Sequence, residues 1–440
     1  MLLKTYILFA PGGEKNKALL VFLWIAYALV TASLTSSHVP WRDEAYQWLI
    51  AREVGWFDIY WEAGRNVSPS LWYYILAIPA KLGFPYWTMQ FLHWLVACFA
   101  AWIFLFKAPF STLFKAAFIF SYYIAYEHAA IARVYMPTLL MMWGVCSFYA
   151  QRYQRPVFYG VLVALLAHTS FFGILLATFF ALDFILSRGR PQTRIQLGAM
   201  VIMFAAIFLG VFGIVPNKEA LYYCSAVIDF VNWAKLKDVF YYSYFTLNWD
   251  HFFPQGIKSL LWLIGPWAGV LYGVLTLWLL RRWRAYGLLI FFVLSWLVIA
   301  YFAVFKYAWS SPRHYSFCLM NTIMILWLGK TRYRETKTMP EFLIGILLLG
   351  SLLLGILGTL NQGYLDRQRP YSGSKGMAEY LIDHKLDRKT FVAQNRLLVV
   401  SILPYMPRAS LWDPVTLKTV RHNIFRGFSE KIPKVGKILS

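Results

Sequence analysis

The sequence predicts an all-α polytopic membrane protein: about eleven transmembrane helices, interfacial helices in the first outside loop, and a small α/β segment at the C-terminal end. Three observations predict it. Of 440 residues, 60% are apolar and only 14% are charged, where soluble domains average about 45–50% and about 25%. Apolar stretches near the ~20 residues that cross a bilayer recur along most of the chain. Basic residues concentrate in alternate connections. This composition excludes intrinsic disorder and argues against a water-soluble enzyme of this size. A net charge of +22 would suggest nucleic acid in a soluble protein. In a membrane chain it is assigned to the inner face and the tail, and no nucleic-acid partner is expected.

The predicted spans lie near 18–36, 86–106, 113–131, 136–150, 157–170, 171–186, 197–215, 257–280, 286–305, 315–329 and 341–360. The pair across 157–186 is one apolar stretch, divided at Ala167–Ser170. Segment 70–83 is apolar but too short to span, and suits a re-entrant or interfacial helix. With a cytoplasmic N-terminus, the inside segments 1–17, 107–115, 151–156, 187–196, 281–284 and 330–337 carry 17 Lys or Arg. The much longer outside loops 37–85, 132–135, 216–256 and 306–314 carry 10, so basic density is higher inside. The clusters Arg188–Arg190–Arg194, Arg281–Arg282–Arg284 and Lys330–Arg332–Arg334–Lys337 all fall inside. An odd number of spans then places the C-terminal segment outside. The first run ends in Thr35-Ser36-Ser37-His38, without a small-x-small cleavage site, and reads as an uncleaved anchor.

Cys98, Cys146 and Cys318 fall inside spans and Cys224 in an outside loop, so no outside disulfide is expected. No CxxC, HExxH or paired-His spacing occurs, and no metal site is predicted. His93 and His168, lone polar groups in or between spans, read as packing residues.

Function is sought where the chain departs from plain hydrophobicity. The loop after the first span holds Asp43, Glu44, Glu53, Asp58 and Glu62, five of only twenty acids. Ala45, Trp48 and Leu49 recur at helical spacing, which predicts an amphipathic helix on the membrane surface anchored by Trp41, Trp48 and Trp56. Asp43 is either the N-cap of that helix or a general base held at the surface. At the end of the third span, Glu127 and Arg133 sit near membrane depth, where ionisable groups are costly and usually functional. The alternative is Arg133 snorkelling to pair with Glu127. Lys306, Arg313 and His314 lie in or beside a short outside loop and break the charge rule; they suit either a phosphate or anionic headgroups. In loop 216–255, Tyr222, Tyr223, Tyr241, Tyr242, Tyr244, Trp249, Asp250 and His251 suit sugar stacking or an interfacial aromatic belt.

The tail, 361–440, has 14 Lys or Arg against six acids, so it is expected to dock on anionic headgroups or on its own membrane part. A helix over 375–384 and strands over 390–393 and 397–402 are predicted. The domain division is 1–362, transmembrane, and 363–440, extracytoplasmic.

Trp41-Arg42-Asp43-Glu44-Ala45 after the first span, then Pro69-Ser70-Leu71-Trp72-Tyr73-Tyr74, then Arg133-Val134-Tyr135 at a later span end, form a pattern. It resembles the GT-C superfamily of integral membrane glycosyltransferases. Within it, the chain is similar to the bacterial branch related to protein O-mannosyltransferases and lipid A aminoarabinose transferases. Many relatives carry His-Pro or Lys-Pro before the Leu-Trp-Tyr stretch, where this chain has Val67-Ser68-Pro69-Ser70. The resemblance implies a GT-C-like fold in the bacterial inner membrane and inverting transfer of a sugar from a polyprenyl-phosphate donor. The acceptor would be a hydroxyl on a lipid, glycan or protein outside the cytoplasm. It makes Asp43 the general base with Glu44 beside it as orienter or second carboxylate. Arg133, Tyr135, Lys306, Arg313 and His314 become candidates for the donor phosphate. Arg42, Trp72, Tyr73, Glu127, His128, Asp250 and His251 become candidates for acceptor or sugar contacts. No cofactor is assigned; the paired carboxylates could bind a divalent cation. A transporter or flippase of a lipid-linked or anionic substrate is the alternative function, and a non-catalytic scaffold a third.

Overall fold

The computed structural model describes residues 8–9, 16–187, 193–214, 231–245, 255–306, 311–332, 339–393, 399–413 and 418–421. It is mainly helical, with one small sheet. Among the described residues six helices are long and apolar enough to cross a membrane: Lys17–Ser37 (α1), Trp87–Lys107 (α5), Arg194–Ile214 (α10), Ser259–Arg282 within Gln255–Arg282 (α12), Tyr286–Phe305 (α13) and Met339–Gln368 (α15). The chain is a multi-pass membrane protein.

Between them lie the shorter helices Arg42–Glu53 (α2), Ile59–Arg65 (α3), Leu71–Lys81 (α4), Thr112–Phe120 (α6), Tyr135–Phe148 (α7), Pro156–Ala167 (α8), Phe171–Leu186 (α9) and Ala234–Tyr242 (α11). Helix α14, Pro312–Arg332, is long but only modestly apolar. Tyr315 through Gly329 are all buried, so it packs inside the bundle and its surroundings are other helices.

Local chemistry sets several boundaries. The Asn16 side chain caps α1 by accepting the Leu19 N–H at 3.0 Å. Ser170 caps α9 through the Gly173 N–H at 3.0 Å, and Pro156 opens α8. The long apolar stretch therefore divides at Ala167–Ser170, as expected. The predicted span 113–131 is not one helix. It breaks at Ser121, continues as a π-helical turn over Tyr123–Glu127, and becomes irregular from His128.

The connections expected inside gather at one pole. The Ser111 N–H donates to the Leu8 carbonyl at 2.9 Å, Phe9 stacks on Phe110, and Lys330 lies over the Phe9 ring. Arg152 and Arg332 both approach Asp183, at 3.8 and 3.4 Å. The connections expected outside meet at the other pole, ~30 Å away across a helix of α1's length. There the Leu71 N–H donates to the His168 carbonyl, and α3 closes on the end of α10, where the Tyr60 hydroxyl donates to the Leu209 carbonyl. A Cβ on Gly64 would lie 2.0 Å from the Gly213 carbonyl oxygen, so the two backbones touch.

The expectation of an amphipathic helix on the membrane surface, anchored by Trp41, Trp48 and Trp56, is corrected for the helix itself and for Trp48. Ala45 through Ala51 are all buried, and Trp48 packs against Tyr86. Helix α4, with Trp72, Tyr73 and Leu76 buried, covers one side of α2. The tail covers another, where Leu49 joins Ala378, Val400, Leu403, Met406 and Leu411. Helical spacing of apolar residues reports a covered face, not the medium that covers it. Of the expected anchors Trp56 is exposed, and beside it so are Phe57, at 91%, and Trp61, with Phe84 and Trp87 before and at the start of α5.

The tail forms helix α16, Ser374–Asp383, and a small sheet of strands Thr390–Phe391 (β1), Ser410–Asp413 (β2) and Lys418–Val420 (β3). Strands β1 and β2 run parallel with Thr390 opposite Ser410; β2 and β3 run antiparallel with Leu411 opposite Val420. The predicted strand 397–402 is not found among its described residues. Val400–Ile402 is a 3₁₀ turn whose side chains pack on Leu49.

Candidate functional site

The site grows from the start of α2. Trp41 precedes the helix with extended backbone, and the Glu44 carboxylate accepts its N–H at 3.1 Å. Asp43 is therefore not the N-cap. Glu44 does that work, and the Asp43 side chain is left to face the pole opposite Asp183.

Three guanidiniums converge on Asp43. Arg133, from the turn before α7, pairs with Oδ2. Arg42 donates from Nε to Oδ1 at 2.9 Å. Arg313, at the start of α14, brings Nη1 to 4.0 Å from Oδ2. Arg313 also approaches Glu127 at 3.5 Å and lies over the Trp41 ring, with its guanidinium carbon 5.0 Å from the centroid. Tyr122 donates its hydroxyl to Glu127 at 3.1 Å. The Arg133 guanidinium sits 5.8 Å from the Tyr135 ring, and Tyr135 Oη is 3.0 Å from His314 Nε2.

Burial alone would raise the Asp43 pKa, but Arg133, Arg42 and Arg313 outweigh it and hold the carboxyl down at about 2. Burial likewise opposes the charge on Arg133, and Asp43 more than restores it, so the pKa of Arg133 is raised. The cluster opens to the surface: the Asp43 side chain is 23% exposed and that of Arg42 39%.

Glu44 turns the other way. It is fully buried, with Oε2 at 3.0 Å from His38 Nε2 and Oε1 accepting the Ala132 N–H at 2.8 Å. His38 Nδ1 lies 3.5 Å from Asp366 at the end of α15, and Tyr126 donates to Asp366 at 2.5 Å. Burial lowers the His38 pKa, but Glu44 and Asp366 together raise it to about 9. Burial raises and His38 lowers that of Glu44, with a net lowering. This ionic network ties the end of α1, the start of α2 and the end of α15 beneath the open cluster. The Ser374 hydroxyl, donating to the Pro40 carbonyl at 2.9 Å, adds the tail.

The structure thus brings together Arg42, Asp43, Glu127, Arg133, Tyr135, Arg313 and His314. The pairing of Arg133 with Glu127 is replaced: the break after the π-helical turn sends Arg133 to Asp43 and leaves Glu127 to Arg313. Trp72 and Tyr73 are buried behind the cluster, Tyr73 accepting from Asn66 at 3.3 Å and Trp72 edge-on to His93. His128 is buried with Nε2 at 3.0 Å from the Ser316 hydroxyl. Lys306 is buried at the end of α13. Asp250 and His251, with Tyr222, Tyr223 and Trp249, lie outside the described residues. Asp43 and Glu44 present their oxygens to different partners and do not converge as a chelating pair. Among the described residues no group of three or more His, Cys, Asp or Glu could hold a metal ion.

Nothing in the sequence marks His38 or Asp366 for this site, and Trp41 reads there as a membrane anchor rather than as the ring under Arg313. Their contacts cross from one segment to another, and no local spacing announces them. No protein-family model, curated protein or solved structure matches the chain.

Proposed function

We propose that the protein is a membrane glycosyltransferase that moves a sugar from a polyprenyl-phosphate donor to an acceptor hydroxyl on the extracytoplasmic side. In this reading the chain crosses the bilayer eleven times, with a cytoplasmic N-terminus and the Asp43 pole outside. The observation that carries the proposal is the meeting of Arg133 and Arg313 on Asp43 at a partly open site.

The chemistry needs two things there. A phosphate leaving group needs fixed cations, and guanidiniums bind it through paired N–H donors. An acceptor hydroxyl needs a base to take its proton as it attacks. The acceptor oxygen forms a bond to the anomeric carbon, and the bond from that carbon to the phosphate oxygen breaks. The phosphate leaves on its lipid, the proton passes to Asp43, and configuration inverts.

A carboxylate held near 2 is a weak base, so the arginines cannot serve both roles at once. The donor phosphate resolves this by drawing Arg133 and Arg313 from Asp43, whose proton affinity then rises. Glu44 is assigned to holding the site, because His38 and two backbone N–H groups occupy its oxygens.

The test supplies purified protein in lipid nanodiscs with a panel of polyprenyl-phosphate-linked sugars and envelope acceptor fractions. Formation of free polyprenyl phosphate and a glycosylated acceptor is expected. Substrate counterflow in liposomes without covalent turnover would make the protein a transporter instead.

A further inference from the structure

Arg133 stands in an irregular turn, yet it must be aimed to within a fraction of an ångström to meet Asp43 or a phosphate. The sequence gives that turn a defect. Pro137, in the first turn of α7, has no N–H, so the Arg133 carbonyl lacks the partner that an α-helix would provide four residues on. His93 of α5 stands in that place: its Nε2 lies 2.9 Å from the Arg133 carbonyl oxygen, and its Nδ1 3.1 Å from that of Ala129. The ring is fully buried and braced by the edge of Trp72, 5.4 Å away between centroids. From the other side, Glu44 holds the same turn by the Ala132 N–H.

We propose that His93 is a positioning residue for the phosphate site, its Nε2–H supplying the hydrogen bond that Pro137 removes and so fixing Arg133 toward Asp43. The inference rests on reading Arg133 as a phosphate ligand. The Arg133 carbonyl oxygen can only accept, so the inference places the ring's N–H on Nε2. The residue's apolar surroundings explain why it resembles a packing histidine in the sequence.

The experiment measures binding of an unsubstituted long-chain polyprenyl phosphate to the full chain in nanodiscs. His93→Leu is expected to weaken binding about tenfold, the worth of one buried hydrogen bond. His93→Gln keeps an N–H donor at similar reach and recovers most of the loss. Pro137→Ala restores the backbone N–H at residue 137 and rescues His93→Leu, including its folding if that variant folds poorly. In an Arg133→Ala background, His93→Leu has no further effect, because it acts through Arg133. Wild-type binding by His93→Leu, additive losses with Arg133→Ala, or no rescue by Pro137→Ala each overturn the inference. Wild-type binding by Arg133→Ala alone instead overturns the phosphate reading, and the inference with it.

Discussion

Arg133 pairs with Asp43 across 90 residues of sequence, joining the turn before α7 to the first turn of α2. The pair is partly open, yet it sits above a closed network in which Glu44, the next residue, is held by His38 and by Ala132. Neighbouring carboxylates are thereby separated into one that faces the surface and one that fastens the structure beneath it.

Asp43→Asn should change two observables in opposite directions. Loss of the proposed base should lower turnover by about 10²- to 10⁴-fold. Loss of the internal anion frees Arg133 and Arg313, so polyprenyl phosphate binds more tightly than to wild type. Isothermal titration in nanodiscs measures the second effect. Weaker binding would show that Asp43 does not compete with phosphate for these arginines.

Arg133→Lys keeps a positive charge but loses the planar fork, and donor KM should rise about tenfold. Arg133→Ala also removes the largest charge holding Asp43 down at about 2. As the proposed general base Asp43 must be unprotonated, so the acid limb of the kcat/KM profile shifts to higher pH in this variant. An acid limb that stays in place would separate the activity from Asp43.

Stability should depend on His38 in the alkaline range. Its pKa rises from 6.5 to about 9 on folding. A raised folded pKa contributes stability that is complete below the unfolded value and is lost as pH rises through the folded one. The melting temperature should therefore decline between pH 6.5 and about 9. His38→Gln should flatten that decline; an unchanged slope would leave His38 without this role.

Asp183 serves as the contrast at the other pole. It accepts hydrogen bonds from Tyr149 at 2.7 Å and Ser187 at 2.8 Å, beside Arg152 and Arg332. Asp183→Asn leaves two guanidiniums without their anion, a change that costs about 3–5 kcal/mol where the pair is buried. Thermal unfolding should be earlier, while polyprenyl-phosphate binding per folded molecule stays at the wild-type level. A selective loss of binding would link the two poles.

Much of the helical framework was legible because each helix announces itself locally. The ends of α1, α5 and α13 follow apolar run length, and the division at Ala167–Ser170 follows Ser170. The small residue set of the site was legible too, since charge is scarce in an apolar chain and Asp43, Glu127, Arg133 and Arg313 stand out. Partner choice was not. Glu127 meets Arg313 rather than Arg133 because the helix breaks after a π-helical turn, which no periodicity in 113–131 reveals. Trp48 looks like a membrane anchor because its cover, Tyr86, comes from another element, and that of its neighbour Leu49, the tail with Leu403 and Met406, lies more than three hundred residues later.

The central claim is that Asp43 takes a proton from an acceptor while the arginines around it receive a lipid-linked phosphate. The most direct measurement is single-turnover transfer of labelled sugar from polyprenyl phosphate by wild type and Asp43→Asn, each saturated with donor in nanodiscs. The account predicts transfer by wild type and none on the same timescale by Asp43→Asn, which still inserts, folds and holds the donor. Full transfer by Asp43→Asn would contradict it.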